Sequence, residues 1–355
     1  MKKLITHLFL QWTMLLTLLP IAYSQTGGDE VFLFLNESPS ARITAMGGNF
    51  ISVFDDDPAL GYQNPALLNG SMHNRLSINF QDNVADITKG YAGFVHSFDK
   101  LKTTFNAGIQ YANYGDFTAT DEIGNITGEF NGAEYAFTIG AGRQYIERFS
   151  YGANITFISS QFESYHSNGA ALSLAGAYHD SAQGFTATIM FKNVGTQFKT
   201  YTSGIKEPLP FDIQAGISKR LTHTPFLFSL VLHDLYRWDL RYNDPNESDQ
   251  SAIIIDSSQV TNEKSYFVDN LFLHTIIGTE IYIGRNVRIN IAYNHQRRQE
   301  LAVELRKGLS GFSFGAGVRI NRFNVSYGRA IYNVAGGINH FSLGVNLDEL
   351  FGKKM

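Results

Sequence analysis

The chain has 355 residues, with 28 Lys and Arg against 32 Asp and Glu for a formal charge of −4, and it has no cysteine. The mildly negative balance argues against nucleic acid as a partner, and the lack of cysteine excludes disulfides and thiolate metal sites. Charged residues make up only 17%, Gly, Phe and Tyr number 33, 28 and 18, and nothing after residue 24 is apolar for long enough to be a spanning helix, so a helical membrane protein is excluded and the composition is that of a transmembrane β-barrel.

Residues 1–24 read as an export signal. Lys2 and Lys3 precede an apolar stretch from Leu4 to Ile21, and Ala22-Tyr23-Ser24 is a small-x-small triplet, which predicts cleavage near Ser24/Gln25. A retained anchor is the alternative, but Gln11 and Pro20 interrupt the stretch.

Residues 25–72 form the next unit, and within it 38–68, SPSARITAMGGNFISVFDDDPALGYQNPALL, does not alternate for long. The candidate site residues lie here: Ala45, Met46, Gly47 and Gly48, then Asp55, Asp56 and Asp57, then Asn64, Pro65 and Ala66. Small residues let backbones approach, and Gly47-Gly48 can supply positive φ at a sharp turn. Those features suit a segment folded inside a tight space, starting on the periplasmic side before the first strand. The alternative is a cap or loop leading into an ordinary β-domain.

Residues 73–347 alternate with period two. Phe105, Ala107, Ile109 and Tyr111 stand on one face against Asn106, Gly108 and Gln110, and Val287, Ile289, Ile291 and Tyr293 face away from Arg288, Asn290 and Asn294. About fourteen such segments are centred near residues 78, 93, 108, 138, 154, 174, 188, 214, 229, 277, 291, 317, 327 and 342. In hydrocarbon every backbone polar group needs an internal partner, so such strands must close into a cylinder. The predicted fold is an all-β, 14-stranded antiparallel transmembrane barrel with the N-terminal segment plugging its lumen.

Connections near 99–100, 146–147, 181–182, 222–223, 284–285 and 321–322 are short, whereas 114–131, 160–168, 194–208, 235–267 and 297–311 read as long. Short turns on one side and long loops on the other suit an outer-membrane barrel; the connections near 84 and 335 depart from that sorting. The loop from Tyr236 to Phe267, with Ile253-Ile254-Ile255, is either a partner-binding surface or a solvated loop. RQELAVELRKGL (298–309) has helical spacing at Leu301, Leu305 and Leu309. Residues 348–355 form a C-terminal tail, so either the assembly signal is internal or the tail folds back.

AMGGN (45–49), the three aspartates and QNPALL (63–68) together resemble the N-terminal signature of the FadL-like barrels, the long-chain fatty acid transporters. That resemblance implies a hatch inside a fourteen-stranded barrel. FLNESPSARITAMGGN with YGDFTATDEIGNITGEFNGAEYAFTIG (114–140) is similar to the branch of these barrels serving the type IX secretion system. It implies a non-enzymatic role, holding a PorZ-like surface protein in attachment machinery that also contains PorU and the related barrel PorV.

Ten histidines form no HExxH motif, close pair or GxSxG context, so no enzymatic site, cofactor or metal is expected. Asp55 to Asp57 lack the spaced acidic pattern of a calcium loop, and with Asn64-Pro65 they suit turns and caps better. Two functions stay open: an outer-membrane secretion barrel whose partners are lipid and secretion-system surface proteins, or a FadL-type channel for hydrophobic solutes. A soluble β-sandwich is a distant third.

Overall fold

The computed structural model describes residues 30–83, 87–240, 267–301, 308–333 and 336–352. The expected signal peptide and Ile253 to Ile255 lie outside the described residues. Fourteen strands close into one antiparallel barrel, each paired with its neighbours in sequence and β1 with β14. They are β1 (Arg75–Asp82), β2 (Thr88–Phe98), β3 (Thr103–Thr120), β4 (Ile126–Ile146), β5 (Phe149–Phe162), β6 (Tyr165–Asp180) and β7 (Phe185–Lys199), then β8 (Asp212–Arg220), β9 (Phe226–Leu232), β10 (Thr275–Ile283), β11 (Val287–Asn294), β12 (Phe312–Ile320), β13 (Phe323–Asn333) and β14 (Gly336–Asn346). Each centre expected from the alternation falls within one of these strands.

The period-two pattern fixes which side chains face out, because a one-residue slip would turn the apolar set inward. Ile78, Phe80, Ile109, Phe137, Ile139, Ile155, Phe157, Ile189, Ile217, Ile277 and Phe341 all point outward and are exposed. Their neighbours Asn79, Gln110, Thr138, Asn154, Thr156, Ser218 and Asn290 are buried. A greasy outer wall around a polar interior, closed without an edge, is the architecture of an outer-membrane barrel.

Two stretches expected as loops are strands. β3 and β4 run on until only residues 121–125 separate them, and β5 and β6 meet across Glu163 and Ser164, with Glu163 at φ 53. Both faces are solvated at that end of the wall, so the apolar alternation fades while cross-strand pairing continues; Phe117 still faces Phe130 and Thr118 faces Glu129. The contrast between short and long connections therefore rests on residues 200–211, 233–274 and 295–311. In the last of these the helix begins earlier than its leucine spacing suggested.

Five short α-helices complete the described chain: α1 (Ala41–Ala45), α2 (Pro58–Gln63), α3 (Phe267–Leu273), α4 (His295–Leu301) and α5 (Leu347–Phe351). Helix α5 follows β14 directly and is held against the start of β1. The Asn346 side chain accepts from the amides of Asp348 and Glu349, and Asp348 accepts from Asn74 Nδ2 at 2.7 Å.

Residues 31–72 lie against the inner wall. The amide of Val31 donates to Pro208 O, in the long connection after β7, so the described chain starts at the loop end and descends to β1 at the turn end. This reverses the expectation of a periplasmic start for the segment. Phe32, Phe34 and Leu35 cluster with Ala112, Ala136, Ile158 and Leu209 at the loop end. Ile43, Met46, Phe50, Leu60, Leu67, Leu68 and Met72 make the larger cluster below. Fourteen strands enclose more space than their own side chains fill, and both clusters lie on the inner side of that wall.

Candidate functional site

Small residues decide how the segment fits. Helix α1 is capped by Ser40, whose hydroxyl accepts from the Ile43 amide, and it stops where Gly47 and Gly48 take φ of 88° and 103°. Those angles favour glycine. The helix packs on the inner faces of β12 and β13, while α2 approaches β1 to β3 and the turn at Pro65–Leu67 approaches β4 to β6. At that turn the wall is glycine by necessity, since a Cβ on Gly142 or Gly152 would lie 2.4 or 2.3 Å from Pro65 O.

The central feature is Arg42. Its Nε and Nη2 donate to the two carboxylate oxygens of Glu280 at 2.9 and 2.7 Å, and its Nη1 meets Asp55 at 2.6 Å and Asp57 at 3.4 Å. The Arg42 and Glu280 side chains are 1% and 0% exposed. Glu280 also accepts from Asn290 Nδ2 at 2.9 Å and from the Tyr282 hydroxyl at 2.6 Å. Burial disfavours a charged guanidinium, but Asp55 and Glu280 outweigh it and hold Arg42 well above its ordinary pKa. The fork geometry is one that arginine provides and lysine cannot.

The three expected aspartates take three roles. Asp55 pairs with Arg42, Asp56 with Arg75 at 2.7 Å and with Arg319, and Asp57 caps α2 by accepting from the Ala59 amide at 3.1 Å. A calcium ion among them would have to displace guanidinium groups. Asn64 is fully buried; its Oδ1 accepts from the Ala66 amide and its Nδ2 donates to Ile51 O at 2.7 Å. Ala66 O accepts from Ser150 Oγ, and Gly47 O accepts from Asn294 Nδ2 and Arg297 Nη2. Ala45 faces Gly315, and Met46 faces Gly278. All ten residues expected for the site thus belong to this buried segment, although they do not converge on one point.

Sequence reasoning missed Arg42 and Glu280. Glu280 did leave a signal: on a strand of outward Ile277 and Ile283 it shares inward parity with Ile276 and Gly278, and a lone acid facing into a bore needs a cation.

Among the described residues the space left around the segment has charged groups on its walls at both ends, and at the loop end it is mostly polar. A cavity of about 300 Å³ at the turn end is lined by Asp55, Asp56, Arg220, Arg285, Arg288 and Arg319 among others. One of about 240 Å³ at the loop end is lined by residues including Glu37, Lys192, Asp212, His233, Arg297 and Tyr332. Two smaller spaces hold about 20 and 30 Å³. Among the described residues no group of three or more His, Asp or Glu is placed to share a metal ion.

No family model matches the chain, and no curated protein matches its sequence. Solved structures do. The toluene transporter TodX of Pseudomonas putida aligns at 12% identity over 87% of this chain and 96% of its own, with a TM-score of 0.51. The CymD monoaromatic hydrocarbon channel aligns at 11% identity over 87% and 96%, with a TM-score of 0.49. A FadL homologue of Pseudomonas aeruginosa aligns at 10% identity over 88% and 98%, with a TM-score of 0.46. The likeness to TodX is one of fold: the chain is a fourteen-stranded outer-membrane barrel of FadL-like architecture.

Proposed function

We propose that the chain is a sealed, non-enzymatic barrel that presents its outer end to partner proteins, with residues 25–72 acting as a plug. The observation that carries this reading is the buried Arg42 cluster, which ties the segment to the wall at Glu280. A segment held by a two-pronged ion pair is a fixed filling, and the spaces beside it carry charged side chains such as Arg220, Arg288, Lys192 and Asp212. Ligand sites for hydrophobic solutes are mostly apolar, and the charged groups lining these spaces among the described residues suit such a solute poorly. The sequence resemblance narrows the proposal to a barrel like PorQ of the type IX secretion system, holding a PorZ-like surface protein together with PorU and PorV. Purification from detergent-solubilised membranes of cells that make these proteins tests it. Co-purification of a surface protein supports the reading, and recovery of the barrel alone refutes it.

The second reading, a FadL-type channel for hydrophobic solutes such as long-chain fatty acids, is favoured by the fold shared with TodX, a toluene transporter. It predicts that a fatty acid raises the melting temperature in detergent while polar controls do not. Equal melting with and without fatty acid removes that support.

A further inference from the structure

The hairpin of β3 and β4 outgrows the barrel. Pairing of β3 with β2 ends at Thr88 and Asn113, and pairing of β4 with β5 begins at Gly132 and Phe162, yet β3 and β4 stay paired from Asp116 with Asn131 to Thr120 with Ile126. Above Asn113 the two strands are a ribbon whose outer edges have no strand partner among the described residues. A tilted strand crosses a bilayer in 9 to 11 residues, whereas β3 has 18 and β4 has 21. The ribbon therefore stands clear of lipid.

An isolated two-stranded ribbon is marginal in water, and its unpaired edges are templates for another strand, which proteins commonly guard with proline or lysine. Residues 114–131 contain neither, and no arginine; they carry Asp116, Asp121, Glu122 and Glu129. One face presents Phe117 and Phe130, stacked at 5.2 Å, and the other presents Thr118 opposite Glu129. Near the tip Ile123 and Ile126 are 84% and 74% exposed. The β4 edge is partly used at its base, where Asn131 O accepts from the Glu163 amide. The β3 edge from Asp116 to Thr120 is free of such contacts among the described residues.

We propose that this ribbon takes up an extended, basic segment of a partner protein as a third strand along the β3 edge. Main-chain hydrogen bonds supply the pairing, the Phe117 and Phe130 shelf takes apolar side chains at alternate positions, and the acids select Lys or Arg between them. This inference rests on the docking role proposed above and assigns it a surface.

The test is photo-crosslinking in intact cells that make their own surface proteins. A photoreactive residue replaces Thr118 or Thr120 in the full-length chain, with replacement of Tyr165 at the β5–β6 turn as control. The expected result is one partner protein crosslinked from both ribbon positions and not from the control, through a peptide rich in Lys or Arg. Adding Asp116→Lys and Glu129→Lys should lower the yield about fivefold or more, with the barrel still heat-modifiable on gels. An unchanged yield, equal crosslinking at the control, or an acidic partner peptide overturns the proposal. A partner that still co-purifies after residues 116–129 are replaced by Asn-Gly refutes the ribbon while leaving the docking role standing. Absence of any co-purifying partner with the intact chain refutes the docking role itself.

Discussion

Replacing Arg42 by alanine should release the N-terminal segment while the wall stays closed. Arg42 holds both oxygens of Glu280 and one of Asp55, at 2.9, 2.7 and 2.6 Å. Removing one member of a buried pair costs about 3–5 kcal/mol, because the surviving charge stays buried without its counter-ion. Glu280 keeps its bonds from Tyr282 and Asn290, which argues for the lower end, about 3 kcal/mol. That is roughly a hundredfold shift between docked and released segment. With no native cysteine to interfere, Ser52→Cys gives a single thiol at a position 0% exposed. Its maleimide labelling rate then reports the released fraction. Arg42→Ala should speed labelling by roughly a hundredfold, and Arg42→Lys should fall between because an ammonium cannot fork across both oxygens. An unchanged rate in a barrel that still shows heat-modifiable migration would refute the reasoning.

Further outcomes follow from the same geometry. Gly142→Val should push the Pro65 turn off the wall and cost about 1–3 kcal/mol, seen as faster Ser52→Cys labelling; an unaltered rate would mean that the turn does not need that close approach. Asp121→Ala should remove the acceptor for the amides of Ile123 and Asn125 at the ribbon tip, with loss of hydrogen-exchange protection there and none in the barrel wall. Hydrogen bonds from the Asn125 side chain and backbone hold the Asp121 carboxyl below its ordinary pKa, so its support for the tip is complete above the normal aspartate range and lost as pH falls through the depressed value; protection independent of pH after correction for intrinsic exchange would contradict this. Asn346→Ala should loosen α5 by about 1 kcal/mol through loss of its cap. Faster proteolysis after residue 347 is the readout, and an unchanged cleavage rate would deny the cap that role.

The wall was legible because lipid imposes one rule on each strand, and Phe105 to Tyr111 or Val287 to Tyr293 obey it without reference to the rest of the chain. Where lipid ends the rule ends, which is why the ribbon at 114–131 read as a loop although its backbone remains paired. Capping chemistry is also local, so Asp57 with Pro58 and Asn64 with Pro65 could be read as turn and cap residues from neighbouring letters. Arg42 and Glu280 could not be paired that way, because 238 positions separate them and only docking of the N-terminal segment against the inner wall brings them together. The same holds for Asp56, whose partners Arg75 and Arg319 come from opposite ends of the barrel sequence. The direction of the segment was misread because its position before β1 suggested entry from the turn end, whereas the Val31 contact with Pro208 starts it at the other.

Ion conductance of the purified protein in planar bilayers tests the central claim most directly. A bore filled by residues 31–72 and fixed at Arg42 should give no steady current steps in the wild-type chain, with steps appearing in Arg42→Ala. Steady open-pore steps from the wild-type protein would contradict the account.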